Sequence, residues 1–185
     1  MKIAFFSVIP SKRAPFVEAF PGTETVFIDE ILNEETAEKG KDVEAVCIFV
    51  DSTCSKSVID AMPNLKLIAT RSTGYNHIDI EYAKQKGIVV TNVPAYGSYT
   101  VAEFTFALLL SLSRKIMEAG NYVKNTMDFH YNSTMEGFDL HGKTIGVIGT
   151  GRIGKNVIKI AQGFGMKVIA CDIYPDEEFA KEHGF

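Results

Sequence analysis

Three glycines, Gly149, Gly151 and Gly154, stand in the spacing G-x-G-x-x-G inside the stretch TIGVIGTGRIGKNVIKIAQGFGMKVIACD, which ends on Asp172. An apolar run leads into them, a helical pattern follows, and a second apolar run carries the chain to the aspartate. Glycines at this spacing have separate tasks. Gly149 permits a tight turn, Gly151 lets the backbone approach a pyrophosphate, and Gly154 lets helix and strand pack closely. The amides of Arg152 and Ile153 would then open the helix, where orphan N–H groups and the helix dipole favour an anion. Asp172, at the end of the second strand, can accept from both adenosine ribose hydroxyls and would repel a 2′-phosphate. The chemistry this predicts is NAD binding in preference to NADP. The same turn could close an α/β domain that binds nothing, but the complete strand–loop–helix–strand context favours the ligand. Ile153, Val157, Ile160 and Phe164 are expected to form the buried stripe of the helix.

The elements that must position this loop follow a β-α alternation. The runs IAFFSVI, ETVFI, EAVCIFV, LKLIAT and GIVVTNV are short, apolar and mostly continuous, which suits strands covered on both faces. Between them lie SKRAPFVEAF, SKSVIDAMPN and DIEYAKQKG, each with apolar residues about a helical turn apart. The pattern predicts a parallel α/β sheet of about five strands over the first half of the chain.

TVAE, from Thr100 to Glu103, fits a capping box, and predicts a helix running to about Glu118 with Gly120 as its stop. Its middle, FTFALLLSL, is apolar nearly all round, so it is expected to be buried on more than one side, between two domains or between subunits. Asn121 to Lys143 is polar and weakly patterned and reads as a connector. The NST at Asn132 is a chance glycosylation match.

Composition narrows the function classes. The 185 residues are 46% apolar and 23% charged with a net charge of −4, so nothing electrostatic calls for nucleic acid. Cys47, Cys54 and Cys171 lack metal-ligand spacing, and Cys47 and Cys171 lie in strand-like runs where a thiol behaves as a small hydrophobe. No metal is expected. MKIAFFSVIP imitates a secretory signal, but Pro10 stops the run and no small-residue cleavage site follows, so a first strand is expected. FTFALLLSL is about half a membrane span. A soluble, cytoplasmic protein with no membrane partner is the expectation.

Taken together, LKLIATRSTGYNHIDIEYAKQKGIVVTNVPAY, TVAEFTFALLLSLSR and the glycine stretch resemble the D-isomer-specific 2-hydroxyacid dehydrogenases, and the NVPAY and GRIG wording resembles the D-lactate type. The resemblance covers nearly the whole chain. It implies a flavodoxin-like parallel-sheet substrate-binding lobe over residues 1–97. Residues 98–185 would form a linking helix and the first βαβ part of a Rossmann NAD-binding lobe. It implies that Thr73 and Gly74 hold a substrate carboxylate through backbone amides, that Tyr96 contacts the substrate, and that Val101 lies beside the nicotinamide. Tyr96 is alternatively a packed aromatic. Arg71 reads better as a structural ion pair than as an anion clamp, and His77 as an exposed loop residue. A small 2-oxo or 2-hydroxy acid, NAD and a second copy of the chain are the implied partners.

The family performs its chemistry with an Arg, a Glu and a His from the later part of the nucleotide lobe, and no position of this sequence matches them. YGSYT after Pro94 also departs from the Ser-Pro often found there. No catalytic residue is therefore assigned, and the expectation is an N-terminal portion inactive by itself. The alternative is a non-catalytic NAD-sensing or interaction module on the same scaffold.

Overall fold

The computed structural model describes residues 1–185, which divide into two compact units, Met1–Tyr96 and Gly97–Phe185. The first unit is built on β1 (Lys2–Phe6), β2 (Glu24–Ile28), β3 (Ala45–Ile48), β4 (Leu67–Thr70) and β5 (Val89–Thr91). They form one sheet in the order β2-β1-β3-β4-β5, every pair parallel. This is the flavodoxin-like order. The helices are α1 (Ala14–Ala19), α2 (Lys56–Asp60) and α3 (Ile80–Gln85). Asp79 caps α3 by accepting from the Tyr82 N–H at 3.0 Å.

The continuous apolar runs are explained by burial on both faces. Along β1, Ile3 and Phe5 face one cluster with Val8, Ala45 and Cys47. Ala4 and Phe6 face the other, with Leu32, Val46, Ile48, Val58, Met62 and Ile68. All four residues of the central strand β3 are buried. Phe5 packs between Phe16 and Phe27, with ring centroids 4.9 and 5.2 Å away.

The second unit comprises α4 (Ser98–Ser113), α5 (Ile116–Thr126), β6 (Thr144–Ile148), α6 (Arg152–Gly163), β7 (Lys167–Cys171) and α7 (Glu177–His183). β6 and β7 pair in parallel from Thr144↔Lys167 to Ile148↔Cys171, with α6 as the crossover between them. Ala102 and Phe106 of α4 pack with Val147 of β6, Val157, Ile158 and Ala161 of α6, and Phe179 of α7.

Several expectations need correction. The capping box is not formed. The Val101 N–H already bonds the Gly97 carbonyl at 3.0 Å, so the helix starts at Ser98 and Thr100 lies inside it. The helix also stops before Glu118. Lys115 adopts φ 54°, which ends α4 and starts α5, and Gly120 sits within α5. Part of the presumed connector is therefore helical, through Thr126. On α6 the buried residues are Gly154, Val157, Ile158 and Ala161, whereas Ile153 is 43% exposed and Phe164 36%. The close approach at Gly154 turns its side of the helix onto the sheet, which rotates the stripe by one residue. Cys171 is exposed, because its face of the two-stranded sheet is bare.

Ile158→Ala should therefore lower unfolding stability by about 2–5 kcal/mol, while Ile153→Ala stays within about 0.5 kcal/mol of the parent. Urea unfolding of the two variants checks this. Equal losses would place the stripe where the sequence pattern put it.

Candidate functional site

The glycine loop leaves β6 through Gly149, whose φ of +91° is a conformation few side chains tolerate. Its N–H bonds the Cys171 carbonyl at 2.8 Å, which fastens the turn to the end of β7. Gly151 is the N-cap of α6, and its carbonyl receives the Lys155 N–H at 2.9 Å. A Cβ on Gly154 would lie 2.0 Å from the Gly149 carbonyl oxygen, so a larger residue cannot stand there without moving the helix. Gly151 is different. Its φ is −66°, and a Cβ built on it would meet nothing within 4 Å. Gly149 and Gly154 are demanded by the fold, but Gly151 is not. What it preserves is open space in front of the first turn of a 12-residue helix, beside the Arg152 and Ile153 amides that no i→i−4 bond can use. Orphan N–H groups and the helix dipole at such a terminus favour an anion.

Asp172 stands at the end of β7, half-buried. Its Oδ2 accepts from the Thr150 N–H and from Thr150 Oγ1, the latter at 3.0 Å, and its Oδ1 accepts from the Tyr174 N–H at 2.9 Å. These bonds, the Tyr174 and Thr150 amides foremost, hold its carboxyl below the usual carboxylate range. Asp172 thus remains an anion that fastens the loop as well as a group able to meet ribose hydroxyls. Thr150, 8% exposed, is a part of this arrangement that sequence reasoning missed. A hydroxyl between the first two glycines was the available signal.

In the first unit, Thr73 and Gly74 lie in the loop leaving β4. Thr73 Oγ1 donates to the Val93 carbonyl at 2.9 Å, and Asn92 Nδ2 donates to the Thr73 carbonyl at 2.8 Å. The loop is thereby tied to the segment leaving β5. Gly74 has no positive φ, and a Cβ there would meet nothing within 4 Å. Like Gly151, it keeps open space that the fold does not need.

Arg71 forms no ion pair. Its guanidinium donates to the Cys47 carbonyl at 3.2 Å and the Phe6 carbonyl at 3.1 Å, and lies 5.8 Å from the Phe49 ring centroid. It ties the C-terminal ends of β1 and β3, because strand-end carbonyls there have no further ladder partner. His77 is half-buried rather than exposed. Its Nε2 lies 3.2 Å from Thr70 Oγ1, and burial pushes its pKa down. Tyr96 is 61% exposed and Val101 47%, so neither is a core residue. The structure brings Thr73 and Gly74 together in one loop of the first unit. In the second it brings Gly149, Gly151, Arg152, Ile153 and Gly154 together with Asp172.

Gly151→Ala should leave the thermal midpoint unchanged and remove NADH binding, whereas Gly154→Ala should lower the midpoint by several degrees. Calorimetry of both variants, with and without NADH, reads the contrast. Equal behaviour would mean that the space at Gly151 holds no ligand.

Residues 3–139 match the family described as D-isomer specific 2-hydroxyacid dehydrogenase, catalytic domain, and residues 106–185 its NAD binding domain. The D-lactate dehydrogenase of Escherichia coli is 38% identical over 180 residues, covering 95% of this chain and 54% of that protein. The 2-hydroxyacid dehydrogenase homolog 1 of Schizosaccharomyces pombe is 43% identical, covering 98% and 55%. Among solved structures, D-lactate dehydrogenase from Aquifex aeolicus complexed with NAD and lactic acid superposes with a TM-score of 0.85 at 37% identity. It is covered over 54% of its length by 98% of this chain. The chain spans about half the length of the curated relatives it matches. With a flavodoxin-like sheet in one unit and an NAD-binding βαβ turn in the other, the chain belongs to the D-isomer specific 2-hydroxyacid dehydrogenase family.

Proposed function

We propose that this chain supplies the substrate-binding lobe and the diphosphate-binding part of the NAD lobe of a D-lactate-type dehydrogenase that reduces a small 2-oxo acid. The observation that carries this reading is Gly151, a glycine kept where neither backbone conformation nor packing asks for one. NAD, when bound, supplies hydride chemistry. The chain's own residues bind and orient. The Arg152 and Ile153 amides face the diphosphate, Asp172 accepts from the adenosine ribose, and Val101 borders the nicotinamide. Thr73 and Gly74 donate to the substrate carboxylate, and Tyr96 contacts the substrate. Such placement is the larger part of the protein's task in hydride transfer. An acid–base residue and a carbonyl-polarising cation are not among these groups, so the chain by itself binds without appreciable turnover.

The test is a titration of the chain with NADH, NADPH and ADP-ribose, followed by calorimetry. NADH and ADP-ribose should bind alike, because the contacts fall on the adenosine side. NADPH should bind about tenfold more weakly through repulsion between its 2′-phosphate and Asp172, and Asp172→Ser should narrow that gap. No pyruvate-dependent NADH oxidation is expected. Equal affinity for NADH and NADPH in the parent would sink the assignment of Asp172.

A second reading, an NAD-sensing or interaction module, is favoured by exposed apolar surface. Val101, Phe104, Leu108 and Leu112 line one side of α4 at 47, 62, 57 and 62% exposure, and Ile148, Ile169 and Ile173 are 94, 64 and 85% exposed. In either reading a second copy of the chain covers the Phe104, Leu108 and Leu112 part of the α4 stripe, whose spacing of four residues makes it one continuous ridge. Sedimentation should show a dimer that Phe104→Asp with Leu108→Asp converts to monomer. A monomeric parent at tens of micromolar would refute the dimer.

A further inference from the structure

In the loop leaving β4, the hydrogen bonds fall on the carbonyl side of consecutive peptides. The Ser72 carbonyl accepts from the Val93 N–H at 3.0 Å. The Thr73 carbonyl accepts from Asn92 Nδ2 at 2.8 Å, and the Gly74 carbonyl from Ser72 Oγ at 2.7 Å. A trans peptide is planar, so its N–H points opposite to its C=O. Holding the Ser72 carbonyl therefore aims the Thr73 N–H, and holding the Thr73 carbonyl aims the Gly74 N–H. Both holding bonds come from Asn92 and Val93, so both amides turn away from that segment.

The bond to the Gly74 carbonyl belongs to a relay whose direction can be derived. A carbonyl only accepts, which commits the single hydroxyl proton of Ser72. Thr70 Oγ1, 2.6 Å from Ser72 Oγ, must then donate to it. Having given its proton to Ser72, Thr70 can only accept from His77 Nε2, 3.2 Å away. The chain runs one way, from His77 through Thr70 and Ser72 to Gly74. Thr70 and Ser72 are 3% and 2% exposed, so water does not compete for these bonds. Gly74 itself is a residue with much freedom to lose. No side chain packs where its Cβ would stand, yet the peptides before and after it are both held.

We infer that Asn92 and His77 are positioning residues. Asn92, on the Thr73 carbonyl, aims the Gly74 N–H, and His77, through Thr70 and Ser72, holds the peptide that follows. Together they clamp the two peptides of Gly74 and so fix the backbone that presents the carboxylate-binding amide. This rests on the reading of Thr73 and Gly74 as the carboxylate site. Donors already in place need no ordering when the anion arrives, and that is where the affinity is gained.

The experiment is a pyruvate titration of the whole chain followed by the 15N-resolved amide signals of Thr73 and Gly74. It is repeated in Asn92→Leu, His77→Leu and His77→Gln, with thermal midpoint and NADH affinity measured alongside. Each leucine variant should weaken pyruvate binding about fivefold, the worth of one net hydrogen bond. Midpoint and NADH affinity should stay unchanged, and His77→Gln, which keeps a donor, should restore binding. The His77 ring should carry a proton on Nε2 in long-range 15N spectra. Parent-like binding in both leucine variants, or a ring protonated on Nδ1 alone, overturns the inference and leaves the carboxylate site standing. A loss that tracks a falling midpoint and is not restored by glutamine also overturns it. Silence of the Thr73 and Gly74 amides in the parent overturns the carboxylate site and the inference with it.

Discussion

Parallel pairing is the constraint on which the rest of the molecule depends. A parallel strand cannot be followed by a hairpin, so each must be left by a crossover, and all strands of a sheet end along the same edge. In the first unit that edge releases the loop carrying Thr73 and Gly74 from β4 and the segment carrying Asn92 and Tyr96 from β5. In the second it releases Gly149–Gly151 from β6 and Asp172 from β7. Each pair of neighbouring strands thus brings two separate stretches of sequence side by side. The candidate groups lie where the general rule for open α/β sheets puts ligands, outside the carboxyl ends of the strands.

The same edge raises an accounting problem, because the strands stop there and leave carbonyls and amides beyond the ladder. The chain answers it with side chains. Arg71 takes the carbonyls of Phe6 and Cys47, Asn92 takes that of Thr73, and Asp172 takes the amides of Thr150 and Tyr174. Satisfying these groups also stiffens the loops that hold them. Two glycines escape this logic. Gly74 and Gly151 keep open space with ordinary backbone angles, the space that the proposed carboxylate and diphosphate sites would use.

Apolar surface is distributed with the same economy in the first unit, where both faces of the sheet are covered. In the second unit, one side of α4 and one face of β6–β7 are bare, and Ile148 is 94% exposed. Surface of this kind associates, at about 25 cal/mol per Å2 buried. That gives the α4 stripe a physical reason to meet a second copy.

Much of this architecture is legible in the sequence. The five strands of the first unit announced themselves because buried parallel strands read as unbroken apolar runs. Gly149, Gly154 and Asp172 stood out because a tight turn, a close helix approach and a strand-end carboxylate each restrict residue type locally. Boundaries set by competing caps were not legible. Thr100 and Glu103 matched a capping box that the earlier start at Gly97 made redundant, and Lys115 broke a helix that its sequence would have continued. The sequence by itself determined the strands of the first unit, the sheet class and the glycine loop, since these depend on residues within a turn or a strand of one another. Tertiary structure alone decided which face of α6 is buried, that Arg71 bonds carbonyls rather than a carboxylate, and that His77 connects to Gly74. Partners such as Arg71 and Phe6, 65 residues apart, meet only after the sheet is assembled, and no local pattern encodes that meeting.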